Sequence, residues 1–394
     1  MTFNIVKCSE IIDVRDGTHD SPKYIDKGYP LVTSKNIKNN KIDFENINYI
    51  SREDFENINK RSSVDNGDIL MPMIGTVGNP VLVDTNINFA IKNVALFKLS
   101  NNDLINNKYF YYLLKSNYVI RQLEKYKRGG TQSFVSLKNL RELKIPLPSL
   151  EEQERIVSIL EKAENAIEKR EESIKLLDEL VKSRFIEMFG DPVTNPMNWE
   201  KRTLNEVSLR KGEYGSGASA IEYIKDYPRY IRITDINDSG KLNNNKVTIE
   251  NLSEYEKYKL NDGDILFART GATVGKTFRY RESDGECLFA GYLIRFIPNM
   301  DIINPDFLFA FTKTSFYQSW VDAKQNTVAQ PNINAKQYGE ELEVILPPIE
   351  TQNKFTNFVK QVDKLKFEME NSLKELENNF NSLIQKAFKG ELFQ

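Results

Sequence analysis

The stretch from Ser149 to Pro192 constrains this chain more than any other. Ile156, Leu160, Ala163, Ile167, Ile174, Leu177, Val181 and Met188 recur at alternating steps of four and three, with Arg170 and Arg184 filling the two gaps. That is a heptad seam, and a helix with such a seam needs a partner helix along its length. Ser149-x-x-Glu152 supplies a capping-box start, and Gly190-Asp191-Pro192 supplies a stop. About forty residues at 1.5 Å each make a rod of roughly 60 Å. The C-terminal segment, about 349–389, has the same grammar in Phe355, Phe358, Val362, Leu365, Met369, Leu376, Leu383 and Ala387, interrupted by Ser372 and Asn379.

The segments before these helices repeat one another. Lys144-Ile-Pro-Leu-Pro-Ser-Leu-Glu-Glu-Gln153 matches Val344-Ile-Leu-Pro-Pro-Ile-Glu-Thr-Gln352 at an offset of 199. Asn66-Gly-Asp-Ile-Leu70 matches Asp262-Gly-Asp-Ile-Leu266 at an offset of 196. Tyr29-Pro30 followed by Asn36-Ile37 matches Tyr227-Pro228 followed by Asp235-Ile236. The plan is therefore globule (1–148), helix (149–190), globule (191–347), helix (348–394), a duplication of one two-part unit. Short β-like runs bounded by Gly, Asn and Asp, then aromatic helical stretches near 107–127 and 304–323, give each globule an α+β fold. The aromatics at 109–118 and 307–320 read as core. Two heptad helices separated by a globule pack most simply as an antiparallel intramolecular coiled coil, with the globules pseudo-twofold related at opposite ends.

Composition narrows the chemistry. The one histidine, His19, excludes histidine relays and multi-histidine metal sites. The two cysteines, Cys8 and Cys287, have no metal spacing, which fits a reduced cytoplasm. No apolar run is long enough to span a bilayer, and the N-terminus lacks a signal-peptide layout. The net charge of −2 hides an uneven distribution: residues 1–150 hold 21 basic against 16 acidic side chains, and residues 191–349 hold 19 against 22. Bulk charge therefore neither demands nor excludes a nucleic acid, because local patches decide.

No catalyst is legible. Gly271-Ala-Thr-Val-Gly-Lys276-Thr277 imitates a phosphate-binding loop, but it has three residues between its glycines where four are needed, and no helix pattern follows. Methyltransferase motifs and a glycine fingerprint for S-adenosylmethionine are missing. What recurs in both globules is Gly- and polar-rich loops. The first holds Arg15, Thr18 and His19, then Thr33 and Lys35, then Lys127, Arg128, Gly130, Thr131 and Gln132. The second holds Lys211 and Tyr214, then Arg229 and Arg232, then Arg269, Thr270 and Lys276, then Gln325 and Asn326. Arg and Lys suit phosphates and guanine edges, Gln and Asn suit adenine, and Gly permits close approach. Any one of these alone reads as a solvated loop; their recurrence in equivalent places lifts the set. Arg269 and Lys276 align with Met73 and Asn79 of the first copy, so the two loops cannot meet a ligand alike.

Taken in order and doubled, these motifs resemble the specificity subunit of a type I restriction–modification system over essentially the full length. The resemblance rests on Asp16-Gly-Thr-His19, Asn66-Gly-Asp-Ile-Leu70, Gly130-Thr-Gln132, Ile145-Pro-Leu-Pro-Ser-Leu-Glu-Glu-Gln153, Phe185-Ile-Glu-Met-Phe-Gly-Asp-Pro192, Asp262-Gly-Asp-Ile-Leu266 and Lys389-Gly-Glu-Leu392. It implies two target-recognition domains, each reading one half of an asymmetric bipartite DNA site, with an unread spacer set by the coiled coil. It also implies no catalysis by this chain. The partners would be methyltransferase subunits, two in number, and restriction/translocase subunits. S-adenosylmethionine, ATP and Mg would sit on those partners. The competing expectation is a protein-docking scaffold with no DNA readout of its own.

Overall fold

Two four-residue runs, Ile69–Pro72 and Ile265–Ala268, are buried at every position. Continuous apolar runs of this kind belong to strands covered on both faces. Each is a middle strand of a four-stranded antiparallel sheet, and the two sheets have the same order. In the first, Asp13–Asp16, Val94–Lys98, Ile69–Pro72 and Val81–Leu82 lie side by side. In the second, the order is Glu213–Tyr214, Leu293–Phe296, Ile265–Ala268 and Thr277–Arg279. The computed structural model describes residues 3–38, 40–74, 78–126, 134–325 and 332–393.

The motif before each buried strand has a structural task. Gly67 and Gly263 take φ of +89° and +93°, a region that favours glycine. The adjoining Asp68 and Asp264 are buried at 0% and 1% exposure. Asp68 accepts from the amides of Asp65, Leu99 and Ser100, and Asp264 from that of Asn261. Each globule is closed by an antiparallel pair from its two ends, Asn4–Lys7 with Lys144–Leu147 and Glu200–Thr203 with Glu343–Leu346. The aromatic stretches are core, as expected: Tyr109, Phe110, Phe307 and Phe311 are fully buried.

The chain divides into two compact units, Met1–Glu171 with Asn371–Gln394, and Glu172–Glu370. Each combines one α+β globule with a stretch of the central helix (Leu150–Phe189) and a stretch of the C-terminal helix (Ile349–Lys389). In the first unit, Ile156, Val157 and Leu160 share a core with Phe380, Ile384, Ala387 and Phe388. Phe388 meets Tyr109 edge-on at 5.3 Å, and Phe380 meets Tyr112 at 6.2 Å. In the second unit, Phe185 and Phe189 surround Phe355 at 5.6 and 5.4 Å, Arg184 lies 5.7 Å over Phe358, and Lys366 pairs with Asp178. Rising numbers on one helix meet falling numbers on the other, so the pairing is antiparallel, as expected.

Both helix starts are anchored alike. Gln153 and Gln352 are fully buried. Gln153 Oε1 accepts from Asn106 N at 2.8 Å, and its Nε2 donates to Leu104 O and Pro148 O. Gln352 repeats all three bonds with Asn304 N, Ile302 O and Pro347 O. Gly190 closes the central helix at φ +75°, its amide donating to Ile186 O at 2.8 Å.

The seam departs from expectation in one place. Leu365 is 42% exposed, while Lys366 beside it is only 8% exposed. The step after Val362 is four residues rather than three, and the helix buries the lysine stem while its ammonium reaches Asp178. From there Leu373 and Phe380 come inward, so the apparent interruptions at Ser372 and Asn379 are a register shifted by one residue. The other expected seam residues lie inward: Ile156, Leu160, Leu177 and Val362 are buried, and Ile167, Ile174, Val181, Phe358, Met369, Leu376 and Leu383 half-buried.

Candidate nucleic-acid interface

In the first unit, the strand Asp13–Asp16 ends at Gly17, where a Cβ would lie 2.2 Å from Ile91 O. Only glycine fits that approach, and it brings Thr18 against the backbone of Ile91, with Thr18 N donating to Ile91 O at 3.0 Å. His19 is then held between Asn93 Oδ1, 2.8 Å from its Nδ1, and Asp16 Oδ2, 3.0 Å from its Nε2. Asp16, 6% exposed, also pairs with Arg61. Arg15 is spent internally on Asp13 and on the carbonyl of Arg61. Thr33 caps the short turn Ser34–Asn36 and bonds Asn36 at 2.8 Å, which leaves Lys35 exposed. This turn adjoins Thr18 through one segment, because Lys92 bridges to Thr18 and donates its amide to Val32 O at 2.9 Å.

The second unit builds the same frame from other residues. Ser216 N donates to Phe289 O, Gly291 N to Ser216 O and Ala290 N to Ile231 O, at 2.9, 2.7 and 2.9 Å. Arg232 stands where Thr33 stood, at the start of Ile233–Asp235, its amide donating to Asp235 Oδ2 at 2.9 Å and its guanidinium gripping the buried Asp235 through two nitrogens at 3.1 and 2.8 Å. That bond raises the Arg232 pKa and keeps the charge fixed. Arg229, by contrast, is 8% exposed and donates to Asn243 O at 2.7 Å. It is a structural residue rather than a contact residue, a correction that follows from its place in the parallel strand pair Arg229–Ile231 with Cys287–Phe289.

The surface of this frame is aromatic and cationic. The Arg269 guanidinium lies 4.8 Å over the ring of Tyr214, with Nε donating to Asn332 Oδ1 at 3.4 Å. The Arg269 amide bonds Tyr292 O at 3.1 Å, and Tyr292 is 61% exposed. A hollow of about 480 Å³ opens beside them, lined by Ser216, Ala218, Tyr230, Arg232, Thr234 and Tyr292. Exposed rings, a stacked guanidinium and fixed Asn and Thr groups can contact base edges and backbone without reordering. Tyr292 is a residue that motif reading missed. Strand pairing equates Ala95 with Ile294 and Thr18 with Ser216, so one residue is inserted in the second copy, Gly291-Tyr292 against Asn93. That insertion was the available signal. Asn332, Arg61 and Asn93 carried none.

Thr270 bridges to Asn332 and caps the turn Gly271–Thr273. Lys276 pairs with Asp238 at 2.8 Å, and a strand rather than a helix follows it, so the loop is no phosphate-binding loop of the nucleotide type. Lys211 is exposed just before the strand Glu213–Tyr214, and Gln325 ends the helix Ser315–Gln325 half-buried. Lys127, Arg128, Gly130, Thr131, Gln132 and Asn326 lie outside the described residues. Met73 holds the Arg269 position in the first copy: each carbonyl accepts an equivalent amide, Val135 N at 3.0 Å and Ile333 N at 2.9 Å. Met73, however, is 3% exposed and belongs to the core.

Comparison with known proteins meets this geometry at full length. The family model described as the type I restriction modification DNA specificity domain matches residues 2–177 and again 196–378. The chain is 25% identical over 336 residues to the EcoBI specificity subunit of Escherichia coli, covering 77% of this chain and 69% of that one. It is 22% identical over 390 residues to the EcoKI specificity subunit of Escherichia coli strain K12, covering 92% and 82%. A chain solved in work on assembly and conformational transition of the type I R-M system shares the fold, with TM-score 0.60 at 18% identity, over 99% of this chain and 98% of that one. Among the described residues, no helix is long and apolar enough to cross a membrane. With the matching domain found once in each half, the chain belongs to the type I restriction modification DNA specificity family.

Proposed function

We propose that this chain reads an asymmetric bipartite DNA site, one half per globule, and directs methyltransferase and restriction subunits to it. The observation that carries the reading is one backbone frame with two sets of side chains. Thr33 and Asn36 become Arg232 and Asp235, Met73 becomes Arg269, and Asn93 becomes Gly291-Tyr292. Equivalent frames with unlike surfaces suit two unlike half-sites, since phosphate contacts set register and side chains at the base edges set sequence. The helix pair fixes the spacer.

The chain itself is non-catalytic. S-adenosylmethionine, ATP and Mg belong to the partners, with two methyltransferase subunits per chain, in the cytoplasm. The scaffold alternative has no account of why the loops diverge while the frame does not. Mapping methylated positions in genomic DNA from cells expressing the chain with its methyltransferase tests the proposal. Two unlike half-sites around an unread spacer are expected, and a contiguous or palindromic motif would contradict it.

A further inference from the structure

The first unit has no arginine where the second has Arg269, because Met73 fills that position and belongs to the core. The strand position that supports Arg269 is nevertheless put to the same use in both units. Asp16 pairs with Ala95 as Tyr214 pairs with Ile294. Each stands directly before a glycine whose Cβ would strike a backbone oxygen, Ile91 O at 2.2 Å from Gly17 and Phe289 O at 2.3 Å from Gly215. Asp16 and Tyr214 are therefore counterparts. In the second unit this position presents a ring, and the Arg269 guanidinium lies 4.8 Å over it. In the first it presents a carboxylate, and the Arg61 guanidinium pairs with it.

The Asp16 side chain is only 7% exposed, and both its oxygens are engaged. Oδ1 accepts from Arg61 Nη2, and Oδ2 lies 3.0 Å from His19 Nε2. A buried carboxylate needs such partners, yet both partners face outward, Arg61 at 66% and His19 at 62% exposure. Nε and Nη1 of Arg61 have no partner among the described residues. The helix that carries it, Arg52–Ser62, is itself fixed. Phe55 stacks on Tyr29 at 4.0 Å, Ile58 packs against the cluster of Leu31, Ile50 and Ala90, and Arg15 Nη1 donates to Arg61 O at 3.2 Å. A cation in a last helical turn suits the helix dipole. That accounts for a basic residue at this end, but not for its bond to a strand 45 residues earlier.

We propose that Arg61 is the first unit's counterpart of Arg269 and reads a guanine edge in the half-site bound by that unit, with Asp16 as its positioning residue. Asp16 occupies one nitrogen of the planar fork and restrains its direction, which leaves other donors for O6 and N7 of the base. The proposal rests on the DNA-reading function and adds to it a specifying residue in the unit where the equivalent loop supplies none. The arginine comes from a helix in one unit and from a Gly-rich loop in the other, so the guanine need not fall at the same place in the two half-sites.

The test uses the full chain purified with its methyltransferase subunits, binding duplexes varied one base pair at a time through both half-sites. The first unit's half-site is the half that changes when residues 1–145 are exchanged for those of a relative. Arg61→Lys should bind the cognate duplex roughly ten- to hundredfold more weakly and accept other pairs at one G·C position of that half, with every other position unchanged. A single ammonium held by Asp16 has no second nitrogen to turn toward a base. Arg61→Gln, which can donate to Asp16 without a charge, should relax the same position. Asp16→Asn should weaken the preference there and nowhere else; a fully retained preference would overturn the positioning role. Preference is a ratio among duplexes, so an unfolded fraction lowers all affinities alike and cannot imitate the effect. Unchanged preference at every position in either Arg61 variant would overturn the assignment, even where affinity falls evenly, because an even loss marks a phosphate contact or lost protein. Relaxation in the other half-site, or at an A·T pair, would overturn it too. Failure of the wild-type complex to distinguish cognate from scrambled duplex is a different result, which would count against the DNA-reading function itself.

Discussion

At the scale of single residues, Arg269 is the proposed contact whose side chain is most firmly held in advance. Its guanidinium is stacked on Tyr214 and bonded to Asn332 before any ligand arrives, so little order is lost on binding. Arg269→Ala should weaken binding by about 1–3 kcal/mol and relax the sequence required in one half-site, with unfolding temperature unchanged. Arg269→Lys should rescue little, since an ammonium cannot present a planar fork from a stacked position. Binding to duplexes varied one position at a time checks both. The sequence made Arg269 legible because it stands in a Gly-rich loop, and it made Met73 legible as its mismatch. Tyr292 escaped because a one-residue insertion announces itself only when strand pairing has fixed the register. Arg229 misled because a cation in a polar loop and a cation in a buried strand look alike in one dimension.

At the scale of elements, the helices were readable and their register was not wholly so. Apolar spacing found Ile156, Leu160 and Leu177, but it could not weigh Lys366, whose stem counts as apolar and whose head does not. The globule-to-helix joints rest on Gln153 and Gln352, two polar residues that an apolar pattern cannot score. Gln352→Ala should destabilise the second unit by about 2–4 kcal/mol, because it strands the buried amide of Asn304 and two carbonyls. Chemical denaturation checks that value. A seven-residue heptad inserted near the middle of both helices preserves the seam and adds about 10 Å. The preferred spacer should lengthen by about three base pairs at about 3.4 Å each, with both half-sites unaltered. Selection of methylated targets from a randomised-spacer library reads the outcome, and an unchanged spacer would remove the helices as the ruler.

At the scale of the whole molecule, a duplication has kept its scaffold and diverged at its surfaces. The turn glycines Gly67 and Gly263, the buried Asp68 and Asp264 and the two glutamine anchors are the same physics used twice. The doubled plan was legible for that reason: backbone turns and buried hydrogen bonds tolerate few residue types, whereas exposed loop positions tolerate most. Under the proposed function, half-site identity would lie in those tolerant positions. The most direct measurement exchanges residues 1–145 for the corresponding domain of a relative with a different target, then maps the methylated motif in cells carrying the matching methyltransferase. One half of the motif should change while the other half and the spacer stay as they were; a change in both halves, or in neither, would contradict independent reading by the two domains.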